Sequence, residues 1–546
     1  SRVTPHYRIS PLESITNLVG ERAIVNFAIG CPIHRNLPEI DMNWLTTPID
    51  HTPGLHGEIF DSLDFGGKPV KIFTANRPRI TWSEELLHPA DPAHYAVRLS
   101  GFFVPPETGN YAFSLEGNGK SRLLINDHIV VANWDDKTPG IFYWSSGQVT
   151  GNIELDAGKS YKIQIEISSE NPTPWRGLQI GCLPPIGDDP ITAAVALASE
   201  SDVVILFAGT TDEWESEGYD RTDMKLPGNQ DALIHAVLEA NSNTIIVLNT
   251  GSPVTMKWLE KTQAVIQAWF GGQEMGNAIA AALFGNINPS GKLPATFPVR
   301  LEDNPAFINY PGENGKVHYG EGLFVGYRYY DKKNIDPLFP FGYGLSYTTF
   351  DYTNLRLYTD DLAPTEEIKV FADITNTGQI AGKEIVQLYL KDVESSLVRP
   401  EKELKAFKKI NLQPGETKTV ELTLTRDSFA FYNPVQKSWV TESGKFHILL
   451  GSSSQDIHLT TEFAWKGDPK SESYINTQRN ICLPLRLLLE DQASRLILEE
   501  HLEEFIKYDF PAQVLSMSLE QLSLHIPQVL TEKLLQTINN DLAAIK

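Results

Sequence analysis

The chain has 546 residues, 41% apolar and 21% charged, with a formal net charge of −23. That length suits roughly three or four domains of ordinary size, and the composition is that of a soluble globular protein with enough aromatic residues to build cores. The acidic balance repels phosphate backbones and argues against nucleic acid as a partner, while no apolar run is long enough to span a bilayer.

In chain order, PLESITNLVG reads as a helix and AIVNFAIGC as a strand, together one αβ unit. From about Leu55 to Pro184 the style changes to short alternating runs, YAVRLSGFFV, NYAFSLEG, SRLLINDHIVV and YKIQIEIS, punctuated by PPETGN, EGNGK and DAGKS. Many short strands with such turns predict a β-sandwich or barrel. After Pro190 strands and helices alternate: TAAVALASES helical, DVVILFAG a buried strand, NQDALIHAVLEAN a helix, NTIIVLNTG a strand, MKWLEK a short helix, AVIQAWF a strand and GGQEMGNAIAAALFG a helix. Such alternation predicts a parallel, doubly covered sheet. The expected fold class is therefore multidomain α/β plus all-β. A discontinuous α/β domain (1–50 and 186–345) is interrupted by an inserted β-sandwich (51–185). A second sandwich (346–466) follows, with IKVFADITNTG, EIVQLYLKD, KTVELTLT and KFHILLG as strands and QPGETK as a turn, an immunoglobulin-type or fibronectin-type module. GDPKSES marks a linker, and 467–546 reads as a helical extension in which Leu498, Leu502, Phe505 and Ile506 share a face. A small bundle docked on the body is the expectation, a partner-binding module the alternative.

Several signals carry no chemistry. EGNGKS at 116–121 ends like a phosphate loop, but Ser114 stands where the first glycine is required, and flanking strands predict a hairpin turn instead. Cys31, Cys182 and Cys482 are scattered and odd in number, and the histidines, His235 among them, show no metal spacing. Nothing calls for a metal or an organic cofactor. The cysteine usage favours a reducing, cytosolic setting, with a bacterial periplasm as the alternative. The opening SRVTPHYRIS lacks the plan of a signal peptide; it starts at Ser1 rather than Met and reads as the middle of something.

The stretch WESEGYDR (214–221) follows DVVILFAGTT, the strongest strand of the predicted parallel sheet. Ligands of open α/β sheets bind beyond the carboxyl ends of strands, and Glu213, Glu215, Glu217 and Asp220 sit there. A solvated acidic loop is one reading. The other makes one carboxyl a general acid, which needs partial desolvation to raise its pKa; Trp214 and Tyr219 are candidates for that cover, and Gly218 for a tight turn beside it.

WESEGYDR, LPGNQDALI, VLNTGSPVTM, AWFGGQEMGNAIAAALFGNINPSGKLPATFP, YGEGLFVGYRYYD and PLFPFGYGLSYTTF together resemble glycoside hydrolase family 3, its β-glucosidases in particular, from about Tyr7 to Trp465. GFFVPPETGNYAFSLEGNGKSRLLINDHIV resembles the protective-antigen-like module that some members insert here, and ITNTGQIAGKEIVQLYLKD the family's fibronectin-type domain. The helical tail resembles, more weakly, a C-terminal extension of some bacterial-type members. The resemblance implies a retaining mechanism, in which an aspartate nucleophile and a glutamate acid/base stand about 5 Å apart. In the family the nucleophile lies on an N-terminal (β/α)8 barrel and the acid/base on the following α/β domain. The match carries the acid/base to Glu217, directly before GYDR, with Glu215 as the fallback. Trp214 and Tyr219, and Phe142, Tyr143 and Trp144 in TPGIFYWSSGQ, become substrate-binding candidates. The latter three would form a rim loop over the site mouth, with sandwich core as the alternative for them. YGEGLFVGYRYYD and FPFGYGLSY read better as interdomain packing than as site loops.

The chain departs from the family in having no barrel, and with it no nucleophile; neither Asp220 nor Asp223 is promoted to that role. The expectation is the C-terminal part of a β-glucosidase acting on β-glucosides or oligosaccharides, with a barrel on the same parent or another chain. A fragment, a split enzyme and a non-catalytic carbohydrate-binding or assembly module all fit this sequence, and a homo-oligomer is left open.

Overall fold

The computed structural model describes residues 5–134, 147–170, 176–187, 189–218, 220–359, 367–434, 437–467 and 479–545. The chain divides into two compact units, 1–280 and 281–546.

The first unit opens on α1 (Pro11–Val19), started by a proline in its first turn and by Ser10, whose side chain accepts the Glu13 N–H. Pro and Ser at these positions satisfy or omit the orphan N–H groups of a helix start. Residues 23–30 run without regular structure, so the strand expected in AIVNFAIGC is absent. A strand requires a neighbour to complete its ladder, and none of the described strands pairs with this one. Ile24 and Phe27 are accordingly 90% and 66% exposed.

The inserted sandwich comprises β1 (Leu45–Thr46), β2 (Leu55–Phe60), β3 (Lys71–Ala75), β4 (Arg79–Thr81), α2 (Glu84–Leu87), β5 (Tyr95–Phe103), β6 (Gly109–Gly117), β7 (Lys120–Ile125), β8 (His128–Asn133), β9 (Val149–Leu155), β10 (Tyr161–Ser169) and β11 (Gly177–Leu183). One sheet runs β3-β2-β5-β10-β7-β8 with β1 on β5, the other β4-β11-β6-β9. Alternating residues face inward, which is how two antiparallel sheets bury one face each. Phe103, Tyr111 and Phe113 meet in the core, with ring centroids 5.3–6.4 Å apart. EGNGK is not the hairpin turn that its flanking strands suggest, because β6 and β7 lie in different sheets. Buried Asn118 pins this crossover, accepting the Gly177 N–H at 3.0 Å and donating to Ser169 Oγ at 3.4 Å.

The chain then forms α3 (Pro190–Ser199), β12 (Val204–Gly209), α4 (Gln230–Ala240), β13 (Thr244–Asn249), β14 (Ala264–Gln267) and α5 (Met275–Leu283). The strands make a parallel sheet in the order β12-β13-β14. The early helix packs on α5: Ser14 Oγ donates to Asn277 Oδ1 at 2.9 Å, and the Gly276 backbone lies against Ile9 and Ser10 too closely for a Cβ.

In the second unit, α6 (Tyr327–Lys333) precedes a sandwich of β15 (Phe350–Thr359), β16 (Glu367–Asn376), β17 (Gly382–Asp392), β18 (Glu403–Leu412), β19 (Thr417–Thr425), α7 (Arg426–Phe429), β20 (Phe431–Asn433), β21 (Ser438–Val440), β22 (Gly444–Gly451) and β23 (Ile457–Trp465). Its sheets are β15-β16-β19 and β18-β17-β22-β23. Segment 281–347 packs on these strands. Lys292 pairs with Glu384 at 3.1 Å, the Tyr327 ring stacks on Phe341 at 5.0 Å, and the Tyr327 hydroxyl accepts the Leu404 N–H at 2.8 Å. This accords with the packing role read for YGEGLFVGYRYYD and FPFGYGLSY.

The tail forms α8 (Leu485–Glu490), α9 (Gln492–Ile506), α10 (Ala512–Leu515), α11 (Leu519–Ser523) and α12 (Glu532–Ala544). Leu485, Leu488, Leu498, Leu502, Leu519 and Ile538 are buried in their shared core, with Phe505 and Ile506 packed against it. Asp491 caps α9 by accepting the Ser494 N–H, and the Arg479 guanidinium beside it holds its carboxyl well below the usual carboxylate range. None of the described helices is long and apolar enough to cross a membrane.

Candidate active site

The parallel register aligns Gly209 with Asn249 and Leu248 with Gln267, so the carboxyl ends of β12, β13 and β14 lie side by side. The acidic loop leaves from the first of them. Gln230 fixes that exit: its buried side chain accepts the Gly209 N–H at 2.7 Å and donates to Gly209 O at 2.8 Å and Pro227 O at 3.0 Å. A buried amide bonded on both its donor and acceptor sides holds a backbone corner firmly, since each lost partner costs about 1–3 kcal/mol.

Glu215 is a staple within the loop. Its Oε1 accepts the Thr210 hydroxyl at 2.8 Å and faces Arg221 Nη1 at 3.4 Å. Arg221 reaches on to Ser252 Oγ at 3.0 Å and Lys225 O at 3.0 Å, tying the loop to the segment after β13. Gly251 has no room for a Cβ, because Glu215 Oε2 and Phe270 already occupy that space. Glu213 plays a similar part on the other flank, accepting the N–H groups of Arg35 at 3.3 Å and Asn36 at 3.1 Å. Trp214 donates its indole N–H to Ile33 O at 2.6 Å, and the Arg35 guanidinium lies 5.9 Å from its ring. Its polar edge is thus engaged by the 33–35 segment.

Glu217 differs from its acidic neighbours. It is exposed, and it makes no hydrogen bond or ion pair with the described residues; the adjacent turn is closed by the Gly218 N–H donating to Ser216 Oγ at 3.2 Å. The described residues therefore leave its side chain exposed, so a general-acid role for it would require apolar cover from elsewhere. Asp223 accepts the Lys225 N–H at 2.9 Å and shapes a turn. Tyr219 and the proposed rim residues Phe142, Tyr143 and Trp144 lie outside the described residues. Arg221 and Thr210 were not singled out in the sequence. Arg221 lies inside WESEGYDR, but only its long-range partners reveal what it does.

A cleft of about 220 Å³ lies beside this loop, lined by His34, Leu37, Pro38, Glu39, Gln179, Thr211, Asp212 and Glu213. Small-molecule pockets are commonly about 300–1,000 Å³, so the cleft is small for a sugar site.

Glu215→Ala should loosen the loop. The loss of two partners is expected to cost about 1–2 kcal/mol, or roughly 5–30-fold faster opening. Amide hydrogen exchange over residues 210–226 measures this, and unchanged protection would remove Glu215 from the stapling role.

The chain is similar to known proteins. Residues 1–347 match the glycosyl hydrolase family 3 C-terminal domain, and residues 384–454 match the fibronectin type III-like domain. The chain is 38% identical over 484 residues to probable β-glucosidase I of Emericella nidulans, covering 84% of this chain and 57% of that protein. It is 55% identical over 274 residues to thermostable β-glucosidase B of Acetivibrio thermocellus, covering 50% of this chain and 36% of that protein. Among solved structures, the β-glucosidase of Kluyveromyces marxianus in complex with glucose superposes with a TM-score of 0.78 at 36% identity, over 85% of this chain and 56% of that one. The chain thus spans little more than half the length of its most fully covered relatives. With the domain match running through both the acidic loop and its supporting sheet, the chain belongs to glycosyl hydrolase family 3.

Proposed function

We propose that this chain is the C-terminal portion of a retaining β-glucosidase that releases terminal non-reducing β-D-glucosyl residues, with Glu217 as its acid/base. The observation that carries this reading is the contrast within one loop. Glu213 and Glu215 are consumed in holding it, while Glu217, beyond the carboxyl ends of the parallel strands, is engaged by no polar group of the described residues. An aspartate nucleophile on a barrel, in the same parent or on another chain, would stand about 5 Å away. That barrel would bring the apolar cover which Glu217 lacks here. Each unit separately exposes large apolar side chains that such a domain could cover: Ile24, Phe27 and Phe270 in the first, and Ile308, Tyr319 and Leu323 in the second. We read the inserted sandwich as a protective-antigen-like module, a reading its two-sheet architecture supports; Phe142, Tyr143 and Trp144 are its proposed rim residues. The three free cysteines accord with a cytosolic setting.

A second reading, a carbohydrate-binding or assembly module without catalysis of its own, is favoured for the isolated chain by the exposure of Glu217, which the described residues leave without apolar cover. Hydrolysis of p-nitrophenyl β-glucoside separates the two. The chain alone should be silent, and activity should appear when a family 3 barrel is supplied in trans. Activity of the purified chain alone would overturn the division of the catalytic pair. Silence with the barrel of its own parent bound would favour the second reading.

A further inference from the structure

The outer face of the larger sheet in the inserted sandwich carries an arrangement that neither the core nor the acidic loop requires. Four charged side chains stand in one row across four neighbouring strands. Glu58 of β2 lies opposite Arg98 of β5, Arg98 opposite Glu166 of β10, and Glu166 opposite Arg122 of β7. Glu166 is the anchor. Its side chain is only 4% exposed, and it accepts Arg98 Nε at 3.1 Å and Arg122 Nε at 2.7 Å. The two guanidinium groups are thereby fixed while remaining about one-third exposed. The row alternates in sign and sums to zero.

Beside the row stands an aromatic wall. The Arg122 guanidinium lies 4.5 Å from the Trp134 ring, Phe65 stacks on Trp134 at 6.4 Å and 30°, and Arg98 lies 5.0 Å from Phe65. Phe65 adopts a φ of +60°, a left-handed conformation that is a genuine outlier for a bulky residue. Its loop is pinned in place, with Ser168 Oγ donating to Leu63 O at 2.8 Å and the Gly66 N–H to Asp64 at 3.0 Å. Phe65 packs edge-on against buried Phe60 at 5.8 Å, yet Phe65 and Trp134 are themselves only half-buried and neither joins the sandwich core. In the next row Gln164, which donates to Glu166 at 2.9 Å, stands opposite Ser100. The face therefore combines pre-positioned donors and acceptors with half-exposed aromatic rings.

That combination fits one class of ligand. Sugar hydroxyls exchange hydrogen bonds with guanidinium, carboxylate and amide groups, and the C–H faces of the ring lie on aromatic side chains. A row without net charge favours a neutral ligand over an anionic one. We propose that this face, centred on Trp134, Phe65 and Arg122, binds a neutral oligosaccharide independently of catalysis. The proposal does not depend on the assignment of the acid/base; only the choice of β-linked probes rests on the proposed β-glucosidase reading.

Isothermal titration of the full chain with cellotetraose and with laminaritetraose tests it. At least one should bind, and Trp134→Ala and Phe65→Ala should each weaken that binding about 10-fold or more, equivalent to about 1.4 kcal/mol. Gln164→Ala, which leaves the wall intact and keeps the test open should an aromatic variant misfold, should weaken binding by a smaller factor. Glu217→Gln should bind as the parent chain does. No binding of either glucan at millimolar concentration would overturn the proposal. So would affinity unchanged in the folded Trp134, Phe65 and Gln164 variants, or affinity lost in Glu217→Gln instead. An acidic oligogalacturonide bound more tightly than either glucan would overturn the neutral-ligand assignment.

Discussion

In a parent carrying the barrel, Glu217→Ala is expected to lower kcat on cellobiose by about 10²–10⁴-fold, the usual weight of a positioned general acid/base. Glycosylation of p-nitrophenyl β-glucoside should suffer far less, because a good leaving group departs without protonation. The deglycosylation step still needs a base to activate water, so the glycosyl-enzyme should accumulate, and added azide, which attacks without base assistance, should restore turnover as the glycosyl azide. The structure sharpens this test by making Glu215 a different kind of control. Glu215 is bonded to Thr210 and paired with Arg221, so its replacement should disturb the loop without giving azide rescue. An unimpaired Glu217→Ala enzyme would end the assignment, and azide rescue of Glu215→Ala would move the acid/base there.

Arg399→Ala should be the most damaging single change in the second sandwich. Arg399 Nη1 donates to Asp392 Oδ2 at 2.8 Å and its Nη2 to Glu403 Oε2 at 2.9 Å, with the three side chains 6%, 3% and 15% exposed. Truncating one partner of a buried charge cluster leaves uncompensated charge behind and typically costs about 3–5 kcal/mol. Protection factors in β17 and β18 should fall by roughly two to three orders of magnitude at 1.4 kcal/mol per decade. The effect should also depend on pH. Burial already pushes the Asp392 carboxyl up, with Arg399 opposing that shift; without Arg399 it rises further. A carboxyl whose folded pKa exceeds its unfolded value of about 3.9 binds its proton more tightly in the folded state. The folded variant is then penalised most at neutral pH and regains stability as pH falls through the raised pKa. Protection factors that match the parent chain, or a deficit equal at pH 7 and pH 5, would show that Arg399 is not what offsets these carboxylates.

Much of the architecture was legible before any coordinates. DVVILFAG and NTIIVLNTG are short continuous apolar runs bounded by polar and turn residues, the pattern of parallel-sheet strands, and both stand in the parallel sheet. AIVNFAIGC carries nearly the same apolar content yet forms no strand, because pairing depends on a neighbour that its own residues cannot specify. EGNGK likewise shows the turn residues of a hairpin, and the alternation on either side is the same whether the next strand returns to its own sheet or crosses to the other.

The acidic loop divides along the same line. Sequence by itself determined that a cluster of carboxylates follows the strongest parallel strand, and therefore lies where open α/β sheets bind ligands. It ranked Glu217 ahead of Glu215 only through the family motif, since the two stand two residues apart with equal chemistry. Tertiary structure decided which of them is bonded, by placing Thr210, Arg221 and the Cβ-free Gly251 around one carboxyl and none of the described residues' polar groups on the other. The same holds for the outer sheet face, where Glu58, Arg98, Glu166 and Arg122 come from strands separated by up to about a hundred residues. Local periodicity follows from backbone geometry repeating every few residues, so it can be read from a short window. Which carboxylate is paired, and which is left exposed, depends on groups that meet only when distant segments come together.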